Sequence, residues 1–130
     1  VPIPVAFWNR PMYNEKNAAL NNLSNCRFIA GDVLKVLPDI QDNPDVIILD
    51  PPRAGIHPTA LKHIVDYGAK HILYVSCNPT ALINDLVFLS QTYEITTLSI
   101  VDMFPHTPHV ESVVLLTRLN ANMQNDCILI

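Results

Sequence analysis

The residues that bring chemistry into this 130-residue chain are a cysteine and three carboxylates, each standing where an apolar run ends or begins. Cys77 lies within Tyr74-Val75-Ser76-Cys77-Asn78-Pro79. The short, β-branched run from His71 to Val75 predicts a buried strand. Behind Pro79, a residue favoured at a first helical position, Ala81, Leu82, Leu86, Val87 and Leu89 recur at helical spacing. Cys77 is therefore expected at the carboxyl end of a strand and the mouth of a helix, with Asn78 as cap. Ligands bind at that edge of open α/β sheets. A helix N-terminus favours thiolate over thiol. A free thiol titrates near ~8.5, so even a modest downward shift enlarges the nucleophilic fraction at neutral pH. An inert, buried strand cysteine is the alternative that position alone leaves open.

Two further loops follow apolar strands: Gly31-Asp32 and Asp50-Pro51-Pro52-Arg53. A parallel sheet would bring them to the edge that holds Cys77. There Asp32 and Asp50 are suited to accept hydrogen bonds from a cofactor's hydroxyl or amino groups. Asp32 also reads as a helix cap, the somewhat better reading from spacing alone. Asp50 reads otherwise as a turn carboxylate, but the stiff Pro-Pro after it suits positioning. Glu111 opens an otherwise apolar strand, so it is either solvated at the strand end or a general base at the sheet edge. His106 and His109 precede it in a Pro-rich connector. Lacking a firm third ligand, they read as surface groups rather than a metal site. His57, His63 and His71 likewise read as surface residues.

Several elements must position these groups. Ile3 to Trp8 suggests an edge strand, since three prolines interrupt Val1 to Pro11. Tyr13 to Leu23 reads as a helix with Ala18, Ala19 and Leu20 inward. Arg27 to Ala30 is a short strand, followed by a helical turn that Pro38 is expected to stop. Asp45 to Leu49 is almost wholly apolar, the mark of a strand covered on both faces. Pro58 opens a helix with Leu61, Ile64 and Val65 on one face and Gly68 as its stop. Tyr93 to Val101 and Val110 to Thr117 are β-rich, and the connector between them suits an antiparallel return. The tail from Leu119 carries no signal. Alternating strands and helices from Tyr13 to Leu89 predict a parallel sheet with right-handed crossovers. No repeat, linker or second domain is evident.

Composition narrows the class. With 49% hydrophobic and 15% charged residues, the chain reads as one compact α/β core. A net charge of −4 offers no overall basic field to nucleic acid or anionic membrane, though a local patch is compatible with RNA. Cys26, Cys77 and Cys127 are widely spaced and show no CxxC or Cys/His ligand pattern, which argues against zinc or a disulfide framework. A reducing, cytoplasmic setting fits, and no apolar run of transmembrane length or signal pattern is seen.

Three motifs in this order, Asp50-Pro51-Pro52-Arg53-Ala54-Gly55, Tyr74 to Pro79, and Asp102 to Glu111, resemble the S-adenosylmethionine-dependent RNA uracil-5-methyltransferases. Asn17-Ala18, Asn21, Asn25 and Gly31-Asp32 add weaker support, and the resemblance runs from about Tyr13 to Arg118. It implies a Rossmann-like α/β fold, mostly parallel with an antiparallel last strand and an incomplete amino-terminal part. It implies Cys77 as nucleophile, Glu111 as base, Asp32 and Asp50 as cofactor-binding positions, S-adenosylmethionine as cofactor and tRNA or rRNA as substrate. Asn78, His106 and Arg53 would help hold the base or order the loops.

The departures from that family are specific. Its glycine-rich loop after the first sheet strand is absent, for Gly31, Gly55 and Gly68 form no such loop. The acidic residue expected to hold the cofactor's ribose is absent too, with Val5 or a neighbour in its place. The strand missing with that loop is normally central, so its absence is expected to disturb assembly. Residues 1–130 thus read as a partial catalytic domain without the RNA-binding and central domains, expected to be inactive alone and to need the missing amino-terminal part. The competing readings are a non-catalytic fragment or degenerate relative serving as an interaction domain, and an enzyme methylating an amino group through the Asp50 loop.

Overall fold

The computed structural model describes residues 3–7, 11–41, 43–119 and 127–129, with side-chain surroundings for 14–41 and 43–119. In chain order the elements are β1 (Ile3–Phe7), α1 (Pro11–Leu20), β2 (Cys26–Ala30), α2 (Val33–Val36), a 3₁₀ turn (Leu37–Asp39), β3 (Val46–Leu49), α3 (Pro58–Asp66), β4 (His71–Ser76), α4 (Pro79–Leu89), β5 (Tyr93–Val101), β6 (Glu111–Arg118) and β7 (Cys127–Leu129). Among the described residues the strands form one sheet in the order β2-β1-β7-β3-β4-β6-β5. Pairing is parallel from β2 through β4 and antiparallel for β6 and β5. The mostly parallel α/β sheet with an antiparallel return is the architecture anticipated.

The core lies between one face of this sheet and helices α3 and α4. Ile47 and Leu49 of β3, Ile72 and Tyr74 of β4, and Val114 and Leu116 of β6 are each 0% exposed. They alternate along their strands and meet Leu61 and Ile64 of α3 and Leu82 and Leu89 of α4 in one cluster. At the edge of the sheet far from Cys77, Arg118 closes the core. Its Nη1 donates to the Val65 carbonyl and to the Tyr93 hydroxyl, 3.1 Å each, and its guanidinium lies 5.4 Å from the centre of the Tyr93 ring. Burial raises the Tyr93 phenol above its ordinary range, against the opposing pull of Arg118.

The structure corrects several expectations. β1 is not an edge strand but lies between β2 and β7. It pairs in full register with β2 and, among the described residues, meets β7 at Val5↔Leu129. The tail supplies a strand: β7 pairs three residues with β3 and stands inside the sheet between β1 and β3. The cover over β3 is one-sided, for Val46 and Ile48 are only half-buried. Helix α2 stops at Val36, just ahead of Pro38, and the chain passes into a separate 3₁₀ turn that includes this proline. Helix α1 starts earlier and ends earlier than its pattern suggested; Ala18 is buried, while Ala19 is exposed and Leu20 is 81% exposed. Val87 of α4 also faces outward, at 65% exposure.

This one-sided burial has a measurable consequence. Ile47→Ala should destabilise the chain by about 2–5 kcal/mol, because its cavity opens in a closed core. Ile48→Ala should cost clearly less. Urea-denaturation midpoints of the two variants would check the order, and equal losses would contradict it.

Candidate functional site

Two strand pairings build the site. β3 pairs with β4 in parallel, Leu49 opposite Tyr74, so Asp50 and the Cys77 loop leave the sheet at the same edge. β4 pairs with β6 in antiparallel, ending at Ser76↔Ser112. Cys77 and Glu111 each stand one residue beyond that last pair, at the same end of adjoining strands. Opposed residues of an antiparallel pair have Cα atoms about 4.5–5.5 Å apart, so the closing pair Ser76 and Ser112 brings the chain on to Cys77 and into Glu111 at one corner of the sheet. Cys77 and Glu111 are half-buried, and Asp50 is exposed. Cys77 is a free thiol, as is Cys26.

Asn78 caps α4 as expected, its Oδ1 accepting from the Thr80 amide at 3.2 Å. The Ser76 hydroxyl accepts from the Asn78 amide at 3.1 Å and donates to the Asn78 carbonyl at 3.0 Å, which folds the chain tightly around Cys77. Asn78 Nδ2 also donates to the Arg53 carbonyl at 2.9 Å. The Arg53 guanidinium, which can only donate, in turn lies 3.4 Å from Nδ1 of His109. One chain of contacts therefore joins the three motif loops.

The connector before Glu111 is shaped by Thr107, whose amide and hydroxyl donate to the Phe104 carbonyl at 3.2 and 2.7 Å. His106, at φ 66°, occupies the left-handed region that non-glycine residues seldom adopt. Asp32 leaves the same carboxyl edge of the parallel strands, but farther along it. It follows β2, three strand positions from β3, about 14 Å at ordinary strand spacing. Its Oδ1 caps α2 by accepting from the Leu34 amide at 3.0 Å. Among the described residues no three His, Cys, Asp or Glu side chains gather as a metal-ligand set.

The remaining histidines are not all plain surface groups. His57 is exposed yet caps α3, its Nδ1 accepting from the Thr59 amide at 3.2 Å. His63 and His71 are half-buried, and His71 Nδ1 lies 3.2 Å from Thr117 Oγ1.

Sequence reading passed over Asp85. This carboxylate is 6% exposed on the inner face of α4, and its Oδ2 accepts from the Tyr74 hydroxyl at 2.5 Å and the Ile56 amide at 3.0 Å. The available signal was an acid at the apolar spacing of Ala81, Leu82 and Leu89. Burial, then the hydrogen bond to Asp85 and its charge, push the Tyr74 phenol far above its ordinary range.

The sign of the resulting pH effect follows directly. An unfolded tyrosine releases its proton near pH ~10, while folded Tyr74 holds its own well beyond that. Its contribution is therefore fully present below pH ~10 and is lost as pH rises further. Tyr74→Phe should lose about 1–3 kcal/mol at pH 8, as Asp85 loses a donor. It should also show a shallower decline between about pH 10 and 11 than the parent chain. Urea midpoints at these pH values would check both, and an equally steep alkaline decline would contradict the assignment.

Residues 15–119 match a family model described as tRNA (uracil-5-)-methyltransferase. An uncharacterized RNA methyltransferase of Clostridium acetobutylicum is 56% identical over 105 residues, covering 80% of this chain and 23% of that protein. One of Clostridium tetani is 53% identical over 104 residues, covering 79% of this chain and 23% of that protein. The chain thus spans about a quarter of the length of these relatives. Among solved structures, the Pyrococcus abyssi tRNA (uracil-54, C5)-methyltransferase in complex with S-adenosyl-L-homocysteine superimposes with a TM-score of 0.77 at 34% identity, over 89% of this chain and 28% of that one. A Streptococcus pneumoniae putative tRNA (m1A22) methyltransferase, at 10% identity and a TM-score of 0.64 over 95% of this chain and 57% of its own, shares the fold.

Proposed function

Because this chain belongs to the tRNA (uracil-5-)-methyltransferase family, we propose that it carries the carboxyl-terminal catalytic part of an enzyme that methylates carbon 5 of a uridine in tRNA or rRNA. The observation that supports this reading is the β4–β6 register, whose last pair, Ser76 and Ser112, adjoins Cys77 and Glu111 at the carboxyl edge of the parallel strands. That edge is where open α/β sheets bind ligands.

Carbon 5 of uracil is a poor nucleophile, so the base must first be activated. The Cys77 thiolate adds to carbon 6, forming an S–C6 bond and moving the C5=C6 electron pair toward carbon 5. S-adenosylmethionine, when bound, supplies the methyl group as a sulfonium. Glu111 then takes the proton from carbon 5, the double bond re-forms, and the S–C6 bond breaks to return the Cys77 thiolate. The target base must leave its stack to reach the thiol.

The residues present fit part of a cofactor site. Asp50 is exposed at the edge shared with Cys77, and two prolines stiffen the backbone after it. Its carboxylate would accept hydrogen bonds from hydroxyl or amino groups of the cofactor. Asp32 keeps Oδ2 for a similar contact while Oδ1 caps α2. Arg53 and His109 brace the loops around the uracil. The rest of the cofactor site would come from the portion of the relatives that this chain does not span. Free Cys26 and Cys77 suit a reducing, cytoplasmic setting. No helix among the described residues is long and apolar enough to cross a membrane.

RNA containing 5-fluorouridine tests the assignment, because fluorine at carbon 5 cannot leave as a proton and the adduct is trapped. With the remaining portion of the Clostridium acetobutylicum relative supplied in trans, mass spectrometry should find the RNA on Cys77 and none on Cys77→Ala. Glu111→Gln should slow methyl transfer about 10²–10⁴-fold, the usual contribution of a general base. A parent chain without a Cys77 adduct under these conditions would overturn the reading.

A further inference from the structure

We propose that Asp85 is a positioning residue that latches the Asp50–Ile56 loop to the strand and helix flanking Cys77. The proposal rests on the reading of Asp50 and Cys77 given above. Asp85 lies on the core side of α4, where Leu82 and Leu89 mark the apolar stripe. A carboxylate is costly there unless its acceptors are used, and a leucine would pack more cheaply. Both donors it takes come from the two motif loops' own supports. The Tyr74 hydroxyl belongs to the strand that ends at Cys77, and the Ile56 amide closes the loop that begins with Asp50.

The loop is built for that contact. Gly55 has φ +84°, and a Cβ there would stand 3.0 Å from Asp85 Oδ2 and 3.2 Å from the Ala81 Cβ. Only glycine combines that backbone angle with so close an approach to α4. The Gly55 amide donates to the Pro52 carbonyl at 2.9 Å, closing a turn behind the two prolines. Asn78 holds the Arg53 carbonyl from the other side. The loop is thus pinned at Arg53 by the residue after Cys77 and at Ile56 by Asp85. Asp50 leads directly into the pinned segment, so the latch sets the offset between its carboxylate and the thiol. Reactions between held groups lose rate steeply with small errors in such offsets.

Amide hydrogen exchange of the 130-residue chain, followed by NMR, tests the latch. Asp85→Leu should speed exchange at Ile56 by about tenfold or more relative to the strand amide of Ile72, as expected for a lost local hydrogen bond. A general loss of stability would instead move both amides together. Asp85→Asn keeps an oxygen that can accept both donors and should hold Ile56 within about threefold of the parent. Should the leucine variant fail to fold, Gly55→Ala attacks the latch from the loop side and must free Ile56 in the same way. Wild-type protection of Ile56 in Asp85→Leu, or in Gly55→Ala when leucine does not fold, would overturn the proposal. Release by asparagine as complete as by leucine would overturn it too. Neither RNA nor the Cys77 thiol enters this readout. A failed latch would leave the nucleophile assignment standing, and a missing RNA adduct would leave the latch standing.

Discussion

The position of β4 between a parallel and an antiparallel neighbour is the constraint on which the site depends. Pairing with β3 carries the Asp50 loop to the edge where β4 ends. Pairing with β6 returns the chain so that Glu111 begins where Cys77 stands. A slip of one residue in either ladder would turn every side chain to the opposite face. Such a slip would expose Ile72 and Tyr74 and bury their half-exposed neighbours, so the hydrophobic core itself holds the register. The energy that fixes which residues stand at this end of β4 and β6 therefore comes from the core, away from Cys77 and Glu111.

Ladders end where the motif loops begin, and there the bonding changes character. Pro51 and Pro52 have no N–H to offer, so the loop cannot extend the sheet. Side chains do the holding instead: Asn78 on the Arg53 carbonyl, Asp85 on the Ile56 amide, and Ser76 on both backbone groups of Asn78. Hydrogen bonds to a largely buried carboxylate are stronger than neutral ones and costly to leave unmade. These contacts give the loops fixed positions without shielding Asp50, which remains exposed to a ligand.

Much of this was legible locally. Apolar runs mark β3 to β6, prolines at first helical positions mark α3 and α4, and the Asn78-Pro79 pair marks the cap that accepts from the Thr80 amide. Alternation of strands and helices was sufficient to group the Asp32, Asp50 and Cys77 loops at one edge, because parallel connections return each strand's end to the same side. Errors arose where the deciding partner was remote. Asp45–Leu49 looked covered on both faces because every residue after Asp45 is apolar, yet no local pattern reveals that only Ile47 and Leu49 meet a closed core. Leu20 and Val87 fit an apolar spacing but point outward, since spacing defines a stripe and not what covers it.

The sequence by itself determined which residues could react, which runs became strands, and where helices started, because those depend on side-chain type and near neighbours. The tertiary structure alone decided that β1 lies inside the sheet and that Cys127–Leu129 fills the interior place beside β3. It also separated Asp32 from Asp50 by intervening strands and gave Asp85 its two distant donors. These outcomes join residues far apart in the chain. They follow from which edges and faces remained to be paired once the local elements had formed, and a reading that moves along the sequence has no access to that competition.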